Sequence, residues 1–357
     1  MKNFYLIFLM FLMFLNCSRQ LINVKGGQNM ILSDDPNINY YGRIDFSNSK
    51  KPKFDWSGIE IQAIFEGTSI SMILEDEKND YNVFIDGKLH KIIATEKGLK
   101  TYELATKLKD TKHKLLITKR TESSYGIAKF SGFILDKDKK LLPAPKRPKY
   151  KIEFIGDSLT CGYGNEGTSK QCDEGDLRKS ENNYLSYAQI TARKIKAEAH
   201  IIAISGKGII RNYGDKEKIS KDPMPSFYDY TLQNDASKKW DFKKWIPDLV
   251  IINLGTNDFS TEPNPDKDIF ISEYKKLINK IKNNYDNNIK ILCICSPFEQ
   301  NKLRDIIKGI SEEEKTEFLE MPSLTEDEKN GCHWHPTVAG HKKMADALIK
   351  KIKKIIK

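Results

Sequence analysis

From about Gly42 to Asp136 apolar and polar positions alternate with a period of two, in "IEIQAIFEG", "SISMILED", "YNVFIDGKLHKII", "HKLLITKRT" and "GIAKFSGFILD". Successive side chains on a strand point to opposite faces, so this rhythm predicts short strands buried on one side. Turn signals such as Asp86-Gly87 join them into an antiparallel β-sandwich of the jelly-roll kind. The segment "KDKKLLPAPKRPKY", with three prolines among lysines, reads as a stiff linker. It places a boundary near Pro145, with a sandwich over 25–145 and a second domain over 146–357.

Beyond the linker the period changes. Continuous apolar runs, "KIEFIG", "AHIIAIS", "DLVIINLG" and "IKILCICSP", alternate with amphipathic stretches, "YLSYAQITARKIKAE", "DIFISEYKKLINKIKNN" and a last one after His335. Strands apolar throughout are buried on both faces, which predicts an α/β fold with a three-layer parallel sheet. The lysine-rich end "ALIKKIKKIIK" fits a terminal amphipathic helix packed on that sheet better than a membrane-surface helix.

At the other end, twelve apolar residues from Phe4 to Leu15 follow Met1-Lys2-Asn3. The run is too short to span a bilayer and suits the apolar core of a signal peptide over 1–17. It closes on "FLNC", a lipobox-like end that would leave Cys17 as a lipid-modified N-terminus, so export and a membrane anchor through Cys17 are expected. The formal net charge is +10, but 59 basic residues are interleaved with 49 acidic ones. That is a solvated surface, and no nucleic-acid partner is expected. Besides Cys17 there are five cysteines, Cys161, Cys172, Cys293, Cys295 and Cys332. An odd number implies no disulfide framework, and a Cys161–Cys172 bridge across a loop is not the favoured reading.

In parallel sheets ligands bind beyond the carboxyl ends of the strands, so residues following each strand carry the chemistry. Three strands run out into "GDS" (Gly156 to Ser158), "SGKG" (Ser205 to Gly208) and "GTND" (Gly255 to Asp258). A serine needs a base to take its proton and donors aimed at the oxyanion it creates. Ser158 offers the hydroxyl and its own N–H, a glycine of "SGKG" a second N–H, and Asn257 a side-chain amide. The base is a histidine or a carboxylate. His90 and His113 belong to the sandwich and His200 to a buried strand. Of the three in "NGCHWHPTVAGHKKMADAL", Pro336 suits the first helical turn, which leaves His335 on the loop before it and His341 inside the helix, packing or capping. Trp334, beside the base, is a candidate stacking face for a bound ligand; Tyr213, Phe227 and Tyr228 are further candidates. Arg211 and Asn212 are expected to brace the "SGKG" loop. Cys332, His333 and His335 lack metal-site spacing, and there is neither a H-E-x-x-H nor a P-loop, so no metal and no cofactor is expected.

The order of these blocks resembles the SGNH (GDSL-type) hydrolases. The sandwich, with "ENNYLSYAQITARKI", "ISGKGIIRNYG", "MPSFYDYT" and "DLVIINLGTNDFS", is similar to the family 2 carbohydrate esterases over nearly the whole chain. The resemblance implies Ser158 as nucleophile, His335 as base, and Ser158, Gly206 and Asn257 as oxyanion hole, with Gly206 preferred to Gly208. It also implies acetyl esters of polysaccharides or oligosaccharides as substrate, the 6-position of a hexose being favoured. One departure stands out. The aspartate usual three residues before the histidine is Cys332 here, and His333 follows, so the ring is read as held by backbone carbonyls in a Ser-His dyad. An unpartnered imidazole of that kind is expected to titrate near 6.5. The sandwich is expected to fold separately and to furnish one wall of the crevice. The alternatives are a lipase or thioesterase on the same fold, against which the polar loop Asn165 to Asn183 argues, and a weakened glycan-binding protein.

Overall fold

A computed structural model describes residues 27–298 and 301–356; the signal-like run and Cys17 lie outside the described residues. The alternating segments form two antiparallel sheets. One runs Asn29–Leu32, Ala128–Leu135, Ile70–Asp76, Gly98–Ala105 in spatial order, with Lys53–Phe54 beside Ala128–Leu135. The other runs Leu141–Leu142, Glu60–Gly67, Thr111–Lys119, Asp80–Ile85, Lys88–Ala94, with Asn39–Tyr41 on Glu60–Gly67. Asp86 and Gly87 both take positive φ, 52° and 80°, where the last two strands turn, which matches the twist of a tight hairpin.

After the proline segment, five parallel strands lie in the order Ala197–Ala203, Tyr150–Gly156, Leu249–Asn253, Ile291–Cys295, Glu317–Glu320. The first strand in sequence, Tyr150–Gly156, thus has the second on one side and the third on the other. The chain reverses direction across the sheet at that strand, and its carboxyl end opens a crevice there. Helices close both faces, and polar caps set where they begin. Ser186 accepts from Gln189 N to start Tyr187–Ile195, and Asp266 accepts from Asp268 N and Ile269 N to start Lys267–Asn284. The last helix, Val338–Ile355, buries Met344, Ala345, Leu348 and Ile352 against the sheet. It begins later than Pro336 suggests, because the Thr337 side chain caps Gly340 N; His335 stays on the preceding loop.

The sandwich is fused to the parallel sheet rather than strung beside it. Arg43 and Glu153 form an ion pair at 2.9 Å with both side chains fully buried. Tyr228 and Tyr285 add hydroxyl donors to the same carboxylate. Trp56 donates its indole N–H to Thr231 O, and Asp55 accepts from Gln233 N and Asn234 N. One apolar cluster runs from Phe54, Trp56 and Phe130 through to Ile155, Ile202 and Phe270. A buried charge without its partner is costly, so separating the two parts leaves Arg43 and Glu153 each stranded.

Candidate active site

Ser158 follows the first parallel strand and opens a one-turn helix, Ser158–Cys161. The capping role belongs to its neighbour: the Asp157 side chain accepts from Leu159 N at 3.1 Å. Ser158 as a residue is 9% exposed, and its freed hydroxyl lies 2.8 Å from His335 Nε2. The other ring nitrogen, His335 Nδ1, is 3.1 Å from Cys332 O and 3.0 Å from His333 O. Carbonyl oxygens only accept, so Nδ1 carries the proton and Nε2 presents its lone pair to the serine O–H. Among the described residues no carboxylate lies on the ring, and the arrangement can draw a proton from Ser158 without one.

Neither side chain near the usual acid position touches the imidazole. His333 is occupied elsewhere, its Nε2 donating to Cys172 O and its Nδ1 accepting from the Tyr163 hydroxyl at 2.8 Å. Cys332 is bonded to Cys172 in a disulfide. The expectation of no disulfide is therefore corrected. The partner of Cys172 lies 160 residues away in sequence, and Cys161 is buried with its thiol 3.8 Å from Glu122 Oε2. His333 and Trp334 both sit in the left-handed region, φ 50° and 61°, at a cost of about 1–2 kcal/mol each. The turn is held there by Cys332 N to Gly164 O and His333 N to Lys170 O, and it is closed on itself by Gly331 N to His335 O.

Burial lowers the His335 pKa from 6.5 to about 4, opposed by the two backbone acceptors. The near-ordinary value expected from a ring without a carboxylate is thus corrected. Carbonyl dipoles offset too little of the lost hydration to keep the imidazolium stable.

Across the cleft, Gly206 takes φ +76° just after the second strand, a conformation that favours glycine. A side chain at Gly208 would meet Arg211 O at 2.0 Å and Asp258 Oδ2 at 2.5 Å, so that glycine serves close packing. Asn257 donates its amide to Lys207 O at 2.9 Å and makes a longer contact, 3.3 Å, to Asp157 Oδ2. Arg211 braces the loop through Thr261 O, Asp215 O and Glu262 O, as expected, and Asn212 contacts Asp222.

Two carboxylates that sequence reasoning passed over hold this side. Asp258, fully buried, accepts from Ile209 N, Ile210 N and Arg211 N at 2.8–2.9 Å. Burial nevertheless raises its pKa to about 6. Glu122, from the sandwich, accepts from Ser205 N at 2.8 Å. Asp258 was legible as the last letter of "GTND", directly after a candidate oxyanion donor. Glu122 left no local signal.

The cleft over Ser158 holds about 330 Å³ and is lined by Tyr213, Asn257, Phe298, Glu326, Trp334 and His335 among others. Trp334 is 61% exposed and Tyr213 64% exposed, two aromatic faces open at its mouth. Tyr228 is buried against Glu153 and is no part of it. Among the described lining residues none precedes Asp157, so the sandwich furnishes no wall. It supports the floor through Glu122 instead.

A model of the carbohydrate esterase 2 N-terminal domain matches residues 40–145, and one of the GDSL-like lipase/acylhydrolase family matches residues 154–343. An acetylxylan esterase/glucomannan deacetylase of Cellvibrio japonicus is 30% identical over 316 residues, covering 83% of this chain and 84% of that protein. The chain belongs to the GDSL-type family 2 carbohydrate esterases. The cellulase/esterase CelE of Acetivibrio thermocellus is 39% identical over 334 residues, 90% of this chain, which spans only 40% of CelE. The structure of a family two carbohydrate esterase from Clostridium thermocellum in complex with cellohexaose superposes with a TM-score of 0.84 at 38% identity, covering 89% of this chain and 98% of that one.

Proposed function

We propose that this family 2 esterase removes acetyl groups from polysaccharides or oligosaccharides, with Ser158 as nucleophile and His335 as base. The observation that carries the reading is the 2.8 Å contact between Ser158 Oγ and the unprotonated Nε2 of His335, at the floor of a cleft flanked by Trp334 and Tyr213. Ser158 Oγ attacks the acetyl carbonyl carbon as Nε2 takes its proton. The resulting oxyanion is met by the N–H groups of Ser158 and Gly206 and by the Asn257 amide, which exchanges its long contact to Asp157 for the substrate oxygen. Collapse expels the sugar oxygen, which takes the proton back from Nε2. Water, activated by the same nitrogen, then releases acetate from Ser158.

The exposed aromatic faces suit the C–H faces of a sugar ring. A cleft of about 330 Å³ rimmed by Glu326 and Lys329 suits a short acyl group better than a long chain. In this reading residues 146–357 form the hydrolase unit and 25–145 its buttress. A disulfide persists in oxidising compartments, which supports an exported enzyme, with Cys17 as lipid anchor in keeping with the N-terminal pattern. Acetate release from acetylated xylan and glucomannan is the test. Turnover is expected on both or either, and activity confined to long-chain esters overturns the substrate.

A further inference from the structure

We infer that the Cys172–Cys332 disulfide is the positioning element of the base, fixing the backbone carbonyls that hold His335 where an aspartate stands in a triad. The inference rests on the reading of Ser158 and His335 as nucleophile and base. A carboxylate on a side chain aims itself at a ring nitrogen; a main-chain carbonyl aims only where its turn is held. Both acceptors of His335 Nδ1, the carbonyls of Cys332 and His333, belong to a turn with two consecutive left-handed residues that are not glycine. Left to itself such a turn relaxes and carries both carbonyls away.

Besides its own Gly331 N–H to His335 O bond and a contact from Ser180 Oγ to Cys332 Sγ, the turn is restrained from the stretch Tyr163 to Cys172. Gly164 O accepts from Cys332 N, Lys170 O from His333 N, and Cys172 O from His333 Nε2, while Tyr163 donates to His333 Nδ1. The Tyr163 ring also packs on the His335 ring, centroids 4.5 Å apart. These contacts depend on the loop being beside the turn, and the disulfide is the covalent bond between the two. Fit is close on the inner side: a side chain at Gly164 would meet Cys332 Cβ at 2.5 Å, and one at Gly167 would meet Cys332 Sγ at 2.6 Å. Cys332 is fully buried and Cys172 half-buried on the loop, so the bond ties the interior turn to a surface loop. Cysteine thus occupies the acid's place in the sequence and serves the same end through the main chain.

The test compares the native protein with Cys172→Ser/Cys332→Ser and with native protein reduced by dithiothreitol, which supplies two electrons and two protons to give two thiols. Three quantities are read: kcat on an acetyl ester, the rate at which a fluorophosphonate labels Ser158, and the His335 ring tautomer by ¹⁵N NMR, assigned against His335→Gln. Loss of alignment is expected to lower kcat and labelling roughly 10- to 100-fold. The tautomer is expected to pass from Nδ1–H alone to a mixture with Nε2–H, a change that mere loss of stability does not produce. If the variant is not folded, the reduced native protein carries the same readings. Unchanged labelling and an unchanged tautomer without the disulfide overturn the inference. Failure of the native protein to label at Ser158 instead overturns the Ser-His reading beneath it, and the tautomer still tests the disulfide.

Discussion

The two sides of the cleft are held by different chemistry. On the oxyanion side, the loop from Ser205 to Asn212 is gripped by buried carboxylates: Asp258 takes three consecutive backbone N–H groups and Glu122 takes a fourth. On the base side, the turn from Gly331 to His335 is gripped by carbonyls and a disulfide, with no carboxylate on the ring among the described residues. A carboxylate in the interior binds amides strongly but titrates; a carbonyl binds less strongly and carries no proton at any ordinary pH. The charge absent beside the histidine is thus found beneath the loop that faces it, where it shapes a site for a developing negative charge without touching it.

The largest effects belong to the atoms that react. Ser158→Ala is expected to abolish turnover with the fold intact, since the hydroxyl makes its contact with His335 and the capping bond belongs to Asp157. Asn257→Ala is expected to lower kcat by about 100-fold or more, the loss usual for an oxyanion donor. Steady-state kinetics on an acetyl ester with circular dichroism checks both. Wild-type turnover in either variant removes that residue from the mechanism.

Next comes the clamp itself. Asp258→Asn replaces one acceptor oxygen by a donor that faces a backbone N–H, so at least one of three bonds is lost and the loop carrying Gly206 loosens. About a tenfold fall in kcat is expected, with a far smaller change in KM, because the residue lies beneath the cleft and not in it. Glu122→Gln keeps one oxygen for Ser205 N–H, and a loss of about threefold is expected. Equal and negligible losses in the two variants, with both folded, would show that the carboxylates only fill space.

Much of this was legible because it is local. The alternation in "IEIQAIFEG", the strand ends at Ser158 and Asn257, and His335 before the last helix all announce themselves within a few residues. The buried apolar strands predicted the parallel sheet for the same reason. Contacts between segments far apart in sequence were not legible. Cys172 and Cys332 are 160 residues apart, and nothing near either cysteine names the other. Glu122 stands in a loop of the sandwich, and its bond to Ser205 exists only because Arg43, Trp56 and Asp55 draw the sandwich onto the sheet. The depressed pKa of His335 was hidden likewise, since burial belongs to the assembled cleft and not to "CHWHP".

The smallest expected effect separates the two sides by pH. Asp258, raised to about 6, takes up a proton as the medium falls below that value, and the protonated acid then resembles the asparagine variant. His335, lowered to about 4, remains a free base there. Ser158 and Tyr163, which touch the ring, are neutral there, and His341 is itself lowered to about 3 by burial. His333, hydrogen-bonded through both ring nitrogens, faces it across the turn, while Asp157, Glu326 and Lys329 line the cleft. Native kcat is therefore expected to decline partway through about pH 6 and to fail through about pH 4, whereas Asp258→Asn lacks the step that Asp258 itself contributes. In that variant a base at about 4 is ~3% protonated at pH 5.5, so its rate is expected to differ little between pH 7 and 5.5. An imidazole at its ordinary 6.5 would be ~90% protonated at pH 5.5 and would lose about tenfold over the same interval. A pH–rate profile of Asp258→Asn from 3.5 to 8 distinguishes the two, and a tenfold drop by pH 5.5 would mean that the ring is hydrated in the working enzyme and that the carbonyl turn leaves its base no different from a free histidine.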